Sequence, residues 1–215
     1  MEKREFKSKR RYLFAFLIGT AVFFLVFVLS YYISYLEFQR VSNLQGDISY
    51  KIFEDKLDYS FFNLGKCSNE SFEKISADLG FQGRIIDDLE KKLGKGNEKV
   101  LEKKKFYTLI ELEHFEFVNM LNKDCSTNIN TILFFYSNDK DDIIKSEDTG
   151  KLLDVLYGRN SGNLVIYSFD VNLDADLIKN LMEKYGVETS PTLIVNGKTK
   201  LFNPKNINEV EKYLK

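Results

Sequence analysis

Glu188-Thr-Ser-Pro-Thr-Leu-Ile-Val-Asn-Gly197, "ETSPTLIVNG", holds one of the two prolines in a chain of 215 residues. Proline fixes its own φ and has no N–H to give to a ladder. Pro191, just ahead of the run Thr192 to Val195, therefore marks a first strand residue, a bulge or a cis turn. Backbone positions of that kind cluster at functional sites. Asn196-Gly197 then separates the run from the strand-like "KTKLF" at 198–202, which is the signature of a type I′ hairpin.

Ahead of this hairpin, short β-branched and aromatic runs alternate with helical patterns. "INTILFFYS" (129–137) reads as a buried strand, and Ile144 to Tyr157 as a helix broken at Gly158-Arg-Asn-Ser-Gly162. "NLVIYSFDV" (163–171) reads as a second strand, Ala175 to Tyr185 as a helix with Asp174 as its N-cap, and a short helix starts at Asn206. The order strand, helix, strand, helix, hairpin, helix predicts an α/β domain. Its first strand-helix-strand unit is a parallel crossover, and the hairpin adds antiparallel strands to the same sheet.

Further upstream the texture is helical. Phe72, Ile75, Leu79, Ile86, Leu89 and Leu93 recur at three-and-four spacing up to Gly94-Lys-Gly96, with Ser68, Asn69 or Ser71 to cap the start. A further helix from Glu98 to Lys123 carries Tyr107, Ile110, His114, Phe117 and Leu121 on one face. Val41, Leu44, Ile48 and Ile52 predict an exposed amphipathic helix ending near Leu64, a surface for self-association or partner docking over 41–64.

Between Tyr12 and Tyr35 lie 24 residues without a charge. They give about 36 Å of helix against a hydrocarbon core of roughly 30 Å. A cleaved signal peptide is the rival, but its apolar region is usually about 7–15 residues and ends at small residues. Bulky Tyr31, Tyr32, Tyr35 and Phe38 stand at that point here. The expectation is a retained anchor in the lipid bilayer. Lys3, Arg4, Lys7, Lys9, Arg10 and Arg11 precede it, so the positive-inside rule keeps the N-terminus cytoplasmic and puts the rest outside the cell membrane. The expected organisation is a basic tail over 1–11, a transmembrane helix over 12–36, an extracytoplasmic helical region over 37–126 and an α/β domain over 127–215.

The formal net charge is -1, with 31 Lys/Arg against 32 Asp/Glu. The tail holds six of the basic and two of the acidic residues, so the body is mildly acidic. Binding to nucleic acid, which depends on neutralising phosphates, is not expected. Cys67 and Cys125 are the two cysteines. They lie on the exported side, where disulfides persist, just before one predicted helix and just after the next. A bridge between them would close a helical hairpin, stabilising the fold by about 4 kcal/mol in the chain-entropy model.

The element order, with "VETSPTLIVNG" (187–197) leading into the hairpin, resembles the thioredoxin fold from Ile129 to Lys215. "LEHFEFVNMLNKDC" (112–125), "ILFFYSN" (132–138) and "VIYSFDVNLD" (165–174) are similar to archaeal membrane-anchored thioredoxin-like proteins. The resemblance implies that Pro191 is cis and faces the place where that family carries its redox Cys-x-x-Cys motif. Here that loop reads "SNDKDDIIKSE" (137–147). The family cysteines fall on Asp141 and Ile144 or on Asp142 and Lys145, so no thiolate is present to attack a disulfide.

What remains is a binding or scaffold module. In redox relatives the backbone beside the cis proline pairs with an extended peptide, a β-augmentation that needs no thiol. Ser190, Pro191 and Thr192, with Asp141, Asp142 and Lys145, are the expected contact residues for an extracytoplasmic protein or peptide. The alternative is a thiol-disulfide oxidoreductase or isomerase using Cys67 and Cys125.

No cofactor is implied, and the other constellations are weak. His114, the single histidine, lacks a visible nucleophile or orienting partner and reads as a partly buried structural residue. Two cysteines and one histidine do not make a zinc pattern. Asp170 to Asp176 opens like an EF-hand loop but has Ala175 at position six and Leu181 at position twelve, so no metal site is expected. Asn69-Glu-Ser71 is a glycosylation sequon.

Overall fold

The computed structural model describes residues 2–62, 69–125, 127–160 and 162–214. The described residues form a mixed α/β structure with six helices and one four-stranded sheet. They divide into two compact units, residues 1–43 and 44–215.

The first unit lies within α1 (Glu2–Phe62). Its stretch Lys9–Asn43 is the one helix among the described residues that is long and apolar enough to cross a membrane. The large apolar side chains from Tyr12 to Leu36 stand exposed.

In the second unit α2 (Asn69–Leu93) and α3 (Glu98–Asp124) are followed by β1 (Asn130–Tyr136), α4 (Ile143–Arg159), β2 (Leu164–Asp170), α5 (Asp176–Tyr185), β3 (Thr192–Val195), β4 (Thr199–Phe202) and α6 (Ile207–Glu211). The strand order is β2-β1-β3-β4. β1 and β2 are parallel across the α4 crossover, while β3 is antiparallel to both β1 and β4. This is the arrangement of strands the sequence predicts.

Side chains alternate across the sheet with the period of two that strands impose. Leu133, Phe135, Val165, Tyr167, Phe169 and Ile194 join Phe72, Ile75 and Leu79 of α2, several α3 residues and Ile178 and Leu181 of α5 in one core. Ile132, Phe134, Leu164, Leu193 and Val195 face α4 and α6 in the other. Burial on both faces explains why the central strands read as unbroken apolar runs.

The helix ends follow their local chemistry. Asn97 caps α3, its side chain accepting from the N–H groups of Lys99 and Val100. Asn206 caps α6 in the same way through Glu209 N–H. Asp174 does not cap α5, contrary to expectation. The cap is Ala175, in extended conformation without a side-chain bond, and the Asp174 carboxylate pairs with Lys179 at 3.0 Å instead.

In the hairpin Asn196 (φ 50) and Gly197 (φ 67) both take the positive φ of a type I′ turn. Pairing starts at Val195↔Thr199, so Lys198 is one extra residue. The Asn196 side chain holds the turn against its neighbours, accepting from Thr131 N–H at 2.9 Å and donating to Asn130 Oδ1 and Tyr213 O at 3.0 Å.

Candidate functional site

Phe135↔Thr192 is the last pair of the β1/β3 ladder, so Pro191 and the loop after Tyr136 leave the sheet at the same end. The Ser190–Pro191 peptide is cis. Pro191 O accepts from Asn203 N–H at 2.9 Å, and Thr192 Oγ1 donates to Thr189 O at 2.6 Å. The side chains of Ser190, Pro191 and Thr192 are buried, since β3 is an interior strand.

The exposed part of the site is the start of α4. Asp142 occupies the N-cap position but makes no side-chain cap bond, pairing with Lys145 at 2.9 Å instead. Asp141 and Lys145 are exposed, and Ile144, at 70% exposure, is among the most open apolar residues outside α1.

Behind this surface the loop is fixed by a hydrogen-bonded hub. Asn172 Oδ1 accepts from Ser137 Oγ–H (2.9 Å) and Asn138 N–H (2.8 Å), and its amide donates to Asp139 at 2.7 Å. Asn138 Nδ2 donates to Asp170 at 2.7 Å, and Asn138 Oδ1 accepts from Lys95, in the α2–α3 turn, at 2.7 Å. The Asp170 carboxylate also accepts from Lys104 of α3 at 2.6 Å, and Lys104 reaches Glu90 of α2 at 2.5 Å. The oxygens that resemble a calcium loop in sequence thus serve protein donors, and among the described residues no cluster suited to a metal ion occurs.

Lys104 is buried, which by itself lowers an ammonium pKa. Tyr136, Asp170 and Glu90 outweigh that and hold it above its ordinary value. Its ammonium lies 5.2 Å from the centre of the Tyr136 ring.

A second polar cluster lies farther along α3. In β2 the odd-numbered neighbours Asn163 and Val171 bond towards β1, so Ser168 turns its N–H to the open side of this edge strand. Glu111 Oε1 accepts that N–H at 2.8 Å, where the next strand of a larger sheet would bond. Burial pushes the Glu111 carboxyl well above its usual range, against the opposing pull of Ser168 N–H and Lys104.

His114 is fully buried, beyond the partial burial expected, with Nδ1 2.9 Å from the Tyr167 hydroxyl and Nε2 3.2 Å from Ser76 Oγ. Burial pushes its pKa down to about 4. His114 lies on the apolar face read from the sequence, whereas Lys104 and Glu111 are not signalled by the apolar periodicity of α3. They belong to a second stripe, Lys104, Thr108, Glu111, Phe115 and Val118, whose three-and-four spacing is masked by its polar members.

Cys125 is the C-cap of α3 and is disulfide-bonded. α3 runs from Lys104 beside the end of β2 to Asn122, whose amide donates to Ile129 O at the start of β1. Cys125 therefore stands at the end of the sheet opposite Pro191. Cys67 lies outside the described residues, as do the side chains of Asn69 and of most of the amphipathic segment expected over 41–64.

Compared with models of known protein families, the chain matches none, and compared with curated proteins it finds no match.

Proposed function

We propose that this protein is a membrane-anchored, redox-inactive thioredoxin-like module that binds an extended segment of an extracytoplasmic protein or peptide. The observation that carries this reading is the separation of chemistries along the sheet. Among the described residues the end bearing Pro191 and the exposed α4 start has carboxylates, an ammonium and Ile144 but no thiol, while Cys125 sits at the other end.

The thioredoxin-like assignment is supported by the element order, the strand order β2-β1-β3-β4 and the position of Pro191 at the entrance to β3. Anchoring is supported by the exposed apolar stretch Lys9–Asn43 and the basic residues before it, which favour a cytoplasmic N-terminus. Cys67, the other cysteine, is the partner of Cys125 in a structural bridge. Contacts to the bound segment run through the side chains of Asp141, Asp142, Ile144 and Lys145, on the surface beside the buried Ser190, Pro191 and Thr192.

The test uses the full chain in detergent micelles. Its disulfide is expected to have a reduction potential below about -300 mV and to show no exchange with a model dithiol. A photocrosslinking residue at position 144 should label bound extended peptides from a random library. The double charge reversal Asp142→Lys, Lys145→Glu should change which peptides are labelled. Facile exchange, or labelling indifferent to the reversal, would overturn the reading.

A further inference from the structure

Gln82 stands in the middle of the buried α2 stripe Ile75, Leu79, Ile86 and Leu89, where an apolar residue would complete the pattern. It is fully buried, and neither its amide nitrogen nor its amide oxygen has a hydrogen-bond partner among the described residues. Glu111 is 1% exposed. Its Oε1 is taken by Ser168 N–H, while its Oε2 is likewise unpartnered.

Both residues lie between two cross-links of the antiparallel helix pair, Ser76···His114 on one side and Glu90···Lys104 on the other. Other hydroxyls in the layer are already committed, Tyr107 donating to Leu79 O and Tyr167 bonding His114.

Three orphaned polar atoms in one dry layer would make this the worst-satisfied part of the core, since buried polar groups in folded proteins find partners. We propose that Gln82 and Glu111 hold internal water, one or two molecules bridging the Gln82 amide and Glu111 Oε2 between α2, α3 and the edge of β2. Water fits because it both donates and accepts. It can take the Gln82 N–H, give to the Gln82 oxygen and pair with Glu111, reaching the two to four bonds that hold a buried water. The Lys104 ammonium, whose charge acts on the Glu111 carboxyl, is already shared between Glu90 and Asp170.

The deciding experiment is a crystal structure of the full chain at a resolution that places ordered water, paired with thermal unfolding of Gln82→Met. Water density within hydrogen-bonding distance of the Gln82 amide and Glu111 Oε2 is expected. Methionine at 82 should remove it and lower Tm by about 2–4 °C. Direct bonding of the Gln82 amide to protein groups, no density at the site, or a raised Tm for Gln82→Met would each overturn the proposal. If Gln82→Met does not fold, the wild-type density alone decides.

Discussion

Lys104 Nζ lies 2.6 Å from the Asp170 carboxylate and reaches Glu90 as well, so one buried ammonium joins α2, α3 and the end of β2. Removing it leaves two carboxylates enclosed without their cation. Lys104→Met is expected to destabilise the chain by about 3–5 kcal/mol, the usual result of breaking a buried pair from one side. Asp170→Asn, which keeps Glu90 on the ammonium, should cost less. Urea denaturation of the two variants in detergent gives the ranking, and equal losses would show that Glu90 contributes nothing.

His114 and Glu111 make opposed contributions to pH dependence. Unfolded, the imidazole binds a proton below its ordinary 6.5 and the carboxyl below its ordinary 4.5. Folded, His114 stays neutral down to about 4 while Glu111 keeps its proton well above 4.5. Between these ordinary values the two groups pull in opposite directions, the neutral His114 favouring the folded state as pH rises and the protonated Glu111 favouring it as pH falls. In His114→Asn the Glu111 effect remains alone, and stability should rise as pH drops from 6.5 towards 4.5. In Glu111→Gln stability should fall over the same window. The His114 slope in Glu111→Gln approaches about 1.4 kcal/mol per pH unit, and the Glu111 slope in His114→Asn has the opposite sign. Lys104 adds no slope there, its stabilising charge being lost only as pH rises through its raised pKa. Unfolding curves at four or five pH values check the signs.

Gly83 of α2 faces Tyr107 of α3. A Cβ there would stand 2.8 Å from the Tyr107 hydroxyl and 3.4 Å from the ring carbon that bears it. Alanine gains about 1 kcal/mol of helix propensity, but overpacking costs about 1–3 kcal/mol and the Tyr107 bond to Leu79 O is displaced. Gly83→Ala is therefore expected to lower Tm. Adding Tyr107→Phe deletes the obstructing oxygen and should recover most of the loss, a non-additivity that a double-mutant cycle reads directly.

Asn196 separates backbone from side-chain effects. Asn196→Gly keeps the positive φ but loses the bonds to Thr131, Asn130 and Tyr213, for an expected cost of about 1–3 kcal/mol. Asn196→Ala adds the left-handed penalty of about 1 kcal/mol or more. Equal stability of the two variants would show that the turn conformation is not limiting.

Most of the architecture was legible because it rests on local rules. The uninterrupted apolar strands, the Asn196-Gly197 turn and the Gly94 to Gly96 break each appear where their residues put them. The site was less legible because its key contacts join residues far apart in sequence. Lys104 and Glu111 look like a solvated helix face until β2 is placed against them, and Asp170 and Asn172 look like cation ligands until Lys104 and the 137–139 loop supply the donors. Asp141, Asp142 and Lys145 lie where the sequence puts them, on the α4 start. The burial of Ser190 and Thr192 follows from the interior position of β3, which no residue pattern reveals.

The core shared by α2, α3 and the sheet sets where this chain can be cut. A piece beginning after Cys125 would keep all four strands and three helices, yet it would present Phe135, Tyr167 and Phe169 to water where α3 now lies, and free the β2 edge that Glu111 closes. Such a piece would be expected to pair edge to edge and precipitate. The smallest useful fragment must begin ahead of α2, because the helical hairpin supplies the missing layer of the sheet rather than a detachable stalk.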